Sequence, residues 1–197
     1  MVKDAKRIAG IWALAGLLGV VAYAQIKNTF GEEVAYSRKL NRGRIERTLE
    51  GIANGEVPNG PVYDSKTLPS SHCARYVRMS AKYLFGKDYP FGDAWDLRNE
   101  NGVGEIRVES YDALRELSKN GKLKPGMVLG IYNPKSNYNS QAKNSGAGYT
   151  HVALFLGEKD GTLYFADQFG SQIRTKISDS DLSKKGLQPR EVLFLEN

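Results

Sequence analysis

The sequence contains one cysteine and two histidines, and this scarcity limits its chemistry. Because Cys73 has no second cysteine to pair with, an intrachain disulfide is excluded, and so is a zinc site built on several thiolates. His72 and His151 have no carboxylates around them at metal-ligand spacing, so the sequence implies no metal and no cofactor. Three interpretations of Cys73 stay open: a buried small hydrophobic residue, as free cysteines usually are, a reactive thiol, or an incidental surface residue.

The composition is that of one globular domain with additional segments, since hydrophobic residues make up 41% of the chain and charged residues 25%. Lys and Arg number 28 against 22 Asp and Glu, a net charge of +6 that favours an anionic partner such as a wall polymer or an acidic membrane surface. There is no zinc-finger spacing, no basic-region heptad pattern and no tract that interleaves aromatic with basic residues. We therefore predict no nucleic-acid partner.

The N-terminus has the pattern of an export signal. Three basic residues precede an apolar run over residues 8–24, and Ala22-Tyr23-Ala24 fits the small-x-small cleavage pattern. We predict a signal peptide or a membrane anchor over residues 1–24. The protein is then secreted, periplasmic or held in the cell envelope, with membrane association through residues 8–24 if the segment is retained.

An amphipathic basic helix and a linker are predicted over residues 25–60. Thr29 and Glu32 have capping-box spacing at the start of this segment, and Asn54-Gly55 ends the helical pattern. The basic face of the helix is either a solvated surface or a contact with anionic lipid or wall polymer. The main domain is predicted over residues 61–197.

Cys73 is predicted to lie in the first turn of a helix. Ser70 and Ser71 are N-cap candidates, apolar residues follow at helical spacing, and Gly86 is a plausible end. In a first turn the unpaired backbone N–H groups and the positive end of the helix dipole favour a thiolate, the form of cysteine that attacks carbonyl groups.

A thiolate nucleophile needs a base that exchanges a proton near neutral pH, and histidine is suited to this. His72 adjoins the cysteine and points elsewhere at a helix start. His151 opens an apolar strand over residues 151–156, which the turn signal Asp160-Gly161 joins to a second strand over 162–166. His151 is therefore the predicted base, and a hydrogen-bonded core histidine is the alternative.

The histidine in turn needs a residue that orients it. The second strand of the hairpin returns to the start of the first, and it ends at Asp167-Gln168. Strand alternation sends these two side chains to opposite faces, so only one can meet His151. Asp167 is the first choice and Gln168 the alternative; a third possibility is that both only build a turn.

The predicted fold class is α+β, with the cysteine helix followed by an antiparallel sheet. The hydrophobic runs predict five strands, over residues 127–132, 151–156, 162–166, 172–177 and 191–195.

Four features in chain order carry a family resemblance. They are Cys73 at a helix start, Gly92-Asp93-Ala94-Trp95, Leu123-Lys124-Pro125-Gly126-Met127-Val128 leading into a strand, and His151-Val152-Ala153. Over residues 70–170 the chain resembles the CHAP family of cysteine- and histidine-dependent amidohydrolases and peptidases, and also the related NlpC-like wall peptidases.

The resemblance implies a papain-like domain in which Cys73 is the nucleophile, His151 the base and Asp167 the orienting residue. Tyr63 is a candidate for oxyanion support, by analogy with a tyrosine of the NlpC-like enzymes. The implied function is that of a cysteine amidase or endopeptidase acting on peptidoglycan or another peptide amide. Alternatives are a thiol acyltransferase, transpeptidase or deamidase on the same scaffold, or an inactive, membrane-tethered binding module.

Overall fold

The structure is a computed structural model that describes residues 42–54, 56, 72–90, 92–170 and 172–196, all within one compact unit. The helices are α1 (Arg42–Ala53), α2 (Cys73–Phe85), α3 (Tyr111–Lys119), α4 (Asn139–Asn144) and α5 (Asp179–Lys184), with a 3-10 turn at Leu97–Asn99. The strands are β1 (Val103–Arg107), β2 (Val128–Tyr132), β3 (His151–Lys159), β4 (Thr162–Phe169), β5 (Gln172–Ser178) and β6 (Gln188–Leu195).

Three predictions fall on residues that the structure does not describe. The signal peptide or anchor over residues 1–24, the helix start at Thr29 and Glu32, and Tyr63 all lie outside the described residues. In the described part of the chain, none of the helices combines the length and the apolar character that crossing a bilayer requires.

The six strands form one antiparallel sheet in the order β1-β6-β2-β3-β4-β5. The α+β class is thus confirmed, and each of the five predicted strands is present with somewhat different ends. Strand β1 was not predicted from the sequence. Gly104 and two charged residues interrupt the strand pattern in its sequence. The strand forms only through pairing with β6 at the sheet edge.

The hairpin of β3 and β4 turns at Asp160 and Gly161, as predicted. Their φ angles are 53° and 75°, the left-handed pair that a two-residue hairpin turn of type I′ requires. Leu154 pairs with Ala166 near the middle of the hairpin. The end of β4 therefore returns to the start of β3.

The hydrophobic core lies on the sheet face that α3 and α5 cover. Ala153 and Phe155 of β3 pack there with Leu114 of α3 and Leu182 of α5. Because side chains alternate along a strand, the residues between them face the other side, and they too are buried. The central strands are therefore covered on both faces, which explains their nearly continuous apolar sequence.

The cysteine helix α2 packs against the central strands β3 and β4, and α1 packs against α2 and β5. Cys73 is the first residue of α2, and Gly86 ends the helix in the left-handed region with φ of 66°. Both features were predicted. The predicted serine cap was wrong: His72 is the N-cap residue, and its side chain makes no capping hydrogen bond.

Gly130 of β2 provides a test of the packing between this strand and Tyr149. A methyl group at this position would lie 2.9 Å from three ring atoms of Tyr149, whose side chain is fully buried and has no room to move. We expect Gly130→Ala to lower the free energy of unfolding by about 1–3 kcal/mol, measured by urea denaturation. In a Tyr149→Val background the same substitution should cost much less. An equal cost in both backgrounds would contradict the proposed contact.

Candidate active site

The structure brings Cys73 and His151 together. Cys73 begins α2 and His151 begins β3, and these two elements pack against each other. The thiol lies close enough to the imidazole ring to raise the pKa of His151. Both residues are buried, with 6% and 5% of their surface exposed, so bulk water has little access to either side chain.

Asp167 lies on the other side of the histidine. Nε2 of His151 is 2.7 Å from Oδ2 of Asp167, in a contact that buries both groups. Since Nε2 is engaged by the carboxylate, Nδ1 is the ring nitrogen that remains for the thiol. The imidazole therefore has one nitrogen for an orienting acid and the other for a nucleophile, which is the arrangement that general-base activation needs.

Gln168 takes a different partner. Its side-chain Nε2 donates to the backbone oxygen of Gly170, two residues further along the chain. Of the two predicted candidates, the structure thus places Asp167 and not Gln168 against His151. The carboxylate is completely buried, with 0% of its surface exposed.

Two residues of the site were not predicted from the sequence. Arg174 of β5 pairs with Asp167 of β4 across the sheet; its Nε donates to Oδ1 at 2.5 Å, and its terminal nitrogen donates to Oδ2. The ring of Phe169 meets His151 edge-on, with ring centres 5.2 Å apart, and its face lies 4.7 Å from the Arg174 guanidinium carbon.

A sequence signal for Arg174 did exist. Gly170 forms the turn between β4 and β5 with φ of 61°, and counting outward from this turn brings Arg174 opposite Asp167. The count depends on the turn length, because a shift of one residue would place Ile173 or Thr175 there instead.

The charges around the histidine favour its protonated form. Burial lowers the pKa of His151, but hydrogen bonds to Asp167 and Cys73, together with their negative charges, outweigh burial and raise it to about 9. Burial likewise opposes ionisation of Asp167, yet the hydrogen bonds and positive charges of His151 and Arg174 hold the pKa of its carboxyl below the ordinary value. Near neutral pH the site therefore contains an imidazolium beside a carboxylate.

A cleft opens beside Cys73 and His151. The cleft is lined by Asp93 and Trp95, from the segment before the 3-10 turn, and by residues 133 and 135–138, from the connection between β2 and β3. Trp95 and Tyr138 stack on each other with ring centres 5.6 Å apart and planes inclined by 27°. The first part of this connection therefore lines the cleft.

Comparisons of the chain with models of known protein families, with curated proteins and with solved structures found no match. Among the residues that the structure describes, no group of three or more His, Cys, Asp or Glu side chains could hold a metal ion.

The raised pKa of His151 predicts a pH-dependent stability. A histidine with a raised folded-state pKa contributes stability that is fully present below its unfolded pKa of 6.5 and is lost as pH rises towards about 9. We expect the free energy of unfolding to fall by roughly 1–3 kcal/mol over this window. Urea denaturation at pH 6 and pH 9.5 measures this change.

Asp167→Asn is the matched comparison, because it keeps the shape of the side chain and removes the charge that stabilises the imidazolium. The fall in stability between the two pH values should be smaller in this variant. A wild-type protein with the same pH dependence as Asp167→Asn would contradict the assignment.

Proposed function

We propose that the protein is a thiol hydrolase that cleaves amide bonds by acyl transfer, with Cys73 as nucleophile, His151 as base and Asp167 as the residue that orients the base. The observation that carries this proposal is the buried contact between His151 and Asp167, with Cys73 beside the same imidazole in the lining of one cleft. A structural cysteine has no need of a histidine that is itself held by a buried acid.

The reaction begins from the pair in which His151 already holds the Cys73 proton. The thiolate attacks the substrate carbonyl carbon, and the carbonyl oxygen becomes an oxyanion near the backbone N–H of Cys73. This N–H is in the first helical turn, where no carbonyl within the helix accepts it, so it is available as an oxyanion donor. The imidazolium then protonates the leaving amine, and a thioester to Cys73 remains.

Hydrolysis of the thioester completes the cycle. His151, now neutral, takes a proton from water, and the hydroxide attacks the acyl carbon. The carbon–sulfur bond breaks, the carboxylic acid leaves, and the proton on His151 again faces the thiolate. Asp167 keeps the same hydrogen bond to Nε2 throughout, so the ring does not have to turn between the two halves of the reaction.

We further propose that the domain is papain-like, of the CHAP or NlpC-like kind. Support comes from the cysteine at the start of a helix that packs on an antiparallel sheet, and from the histidine and acid on neighbouring strands of that sheet. On this proposal the substrate is an amide in peptidoglycan, either within the peptide or between the glycan and the peptide. A location outside the cytoplasm, where this polymer lies, agrees with the predicted export signal.

Incubation of the full chain with purified peptidoglycan sacculi tests this function. Mass spectrometry of the soluble fraction should detect freed peptides or new amine termini. Cys73→Ala and His151→Ala should each reduce the release rate by at least about 1,000-fold, because each removes a member of one catalytic unit. His72→Ala is the matched control and should retain the wild-type rate, since it removes the other histidine.

The outcomes separate the alternatives. A product in which the acyl group is attached to an added amine or lipid would identify a transferase or transpeptidase instead of a hydrolase. No release despite rapid alkylation of Cys73 by iodoacetamide would reject peptidoglycan as the substrate. No release together with a thiol that resists alkylation in the folded protein would reject catalysis and leave the binding module.

The aromatic pair at the cleft predicts a substrate-binding effect. Trp95 and Tyr138 stack on each other in the lining of the cleft that also contains Cys73 and His151. We expect Trp95→Ala to raise KM about tenfold while kcat changes little, because the lost contact area binds substrate and transition state alike. Tyr83→Ala, which removes an exposed aromatic ring of α2 outside the cleft, should leave both constants unchanged. A fall in kcat alone would contradict this role.

A further inference from the structure

The contact between Arg174 and Asp167 is bidentate, and we call this pair of hydrogen bonds the clamp. The guanidinium donates to both carboxylate oxygens, from Nε to Oδ1 and from a terminal nitrogen to Oδ2. Oδ2 is also the oxygen that meets His151. Such a planar, two-point contact fixes the rotation of the carboxylate about its bond to Cβ, which a single hydrogen bond would leave free.

The clamp also places a positive charge beside the buried carboxylate of Asp167. Asp167 has no exposed surface, and a buried carboxylate without compensating charge would take up a proton instead of staying ionised. His151 provides a positive charge only while it is protonated. Arg174 provides one throughout the catalytic cycle, including the stage at which the imidazole has given its proton to the leaving group.

The other titratable groups around the carboxylate do not replace this charge. Tyr111 of α3 is close enough to feel the charge of the carboxylate, and Asp179 of α5 is in turn a neighbour of Tyr111. Burial, and then Asp179, raise the pKa of the Tyr111 hydroxyl well above its ordinary value, so the phenol stays neutral. Asp179 forms its own ion pair with Arg115 at 2.7 Å. In this neighbourhood of the described chain, Arg174 is the permanent cation that contacts Asp167.

Phe169 connects the clamp to the base. Its ring is perpendicular to the imidazole and has the guanidinium over its face, so both partners of the carboxylate contact the same aromatic ring. Cation–π attraction between Arg174 and this ring adds to the hold on the guanidinium.

From this geometry we propose that Arg174 is a positioning residue of the active site, whose fork holds the Asp167 carboxylate ionised and aimed at His151. The inference rests on the proposed function, since it assigns a role within the same site. Arg174 has no role in bond making: it acts on His151 through Asp167. Its loss should therefore change the protonation behaviour of the site, and not merely the amount of folded protein.

The rate of Cys73 alkylation by iodoacetamide, measured from pH 4 to pH 10 on the full chain, tests this inference without a known substrate. The rate rises with pH as the thiolate–imidazolium pair forms. In Arg174→Met the carboxylate takes up a proton more readily and supports the imidazolium less. The midpoint of the acid limb should therefore rise by about one pH unit or more, and the plateau rate should fall about tenfold.

Arg174→Lys separates charge from geometry. A lysine keeps the cation but cannot bind both carboxylate oxygens, so the acid midpoint should stay within about 0.3 pH unit of wild type while the plateau rate falls several-fold. Lys176→Met is the matched control: it removes a cation two residues away on β5, which lies 4.1 Å from the ring centre of Tyr164. Its alkylation profile should match that of wild type.

The results distinguish a positioning role of Arg174 from a purely structural one. Wild-type midpoints and plateau rates in both Arg174 variants, or a lowered melting temperature with an unchanged pH profile, would show a purely structural ion pair and overturn the inference. If Arg174→Met does not fold, the Arg174→Lys variant alone decides: a plateau rate equal to that of wild type would also overturn the inference. An inert Cys73 in the wild-type protein would instead overturn the proposed function, which keeps the two failures distinct.

Discussion

A carboxylate with no exposed surface lies at the centre of this molecule, and its charge has to be compensated from within the sheet. Asp167 sits between His151 on one neighbouring strand and Arg174 on the other, so three adjacent strands converge on one negative charge. Breaking such a buried pair by removing one partner is far more costly than the pair itself is stabilising. The positions of β3, β4 and β5 relative to one another are therefore tied to the electrostatics of the site.

The proposed nucleophile lies on a helix and the rest of the candidate site on the sheet, and these two kinds of element offer different environments. A β-strand offers a row of side chains at fixed separation, which suits a chain of hydrogen bonds across strands. A helix start offers unpaired N–H groups and a positive end, which suit a thiolate and an oxyanion. Packing of α2 on β3 and β4 brings these two kinds of environment into contact at Cys73 and His151.

The sequence predicted the parts of this arrangement that depend on local pattern. Asp160-Gly161 between two apolar runs identified the hairpin, and the hairpin alone sufficed to bring Asp167 near His151. Arg174 was missed because its place depends on the exact register of the next strand pair, which shifts by one residue for each residue gained or lost in the turn. The edge strand β1 was missed for a related reason: its Gly104 and charged residues form a strand only through pairing with β6, about ninety residues away in the chain.

The folding order follows from where the four residues of the site lie along the chain. His151, Asp167 and Arg174 belong to β3, β4 and β5, which follow one another as two hairpins, so short-range pairing suffices to assemble them. Cys73 precedes them by more than seventy positions and joins them only when α2 docks, a contact that closes a long loop and so forms late. A chain in which only these hairpins have formed holds His151, Asp167 and Arg174 together without Cys73 beside them. The proposed nucleophile therefore joins its proposed base after the hairpins have formed, and the candidate site is incomplete until α2 docks.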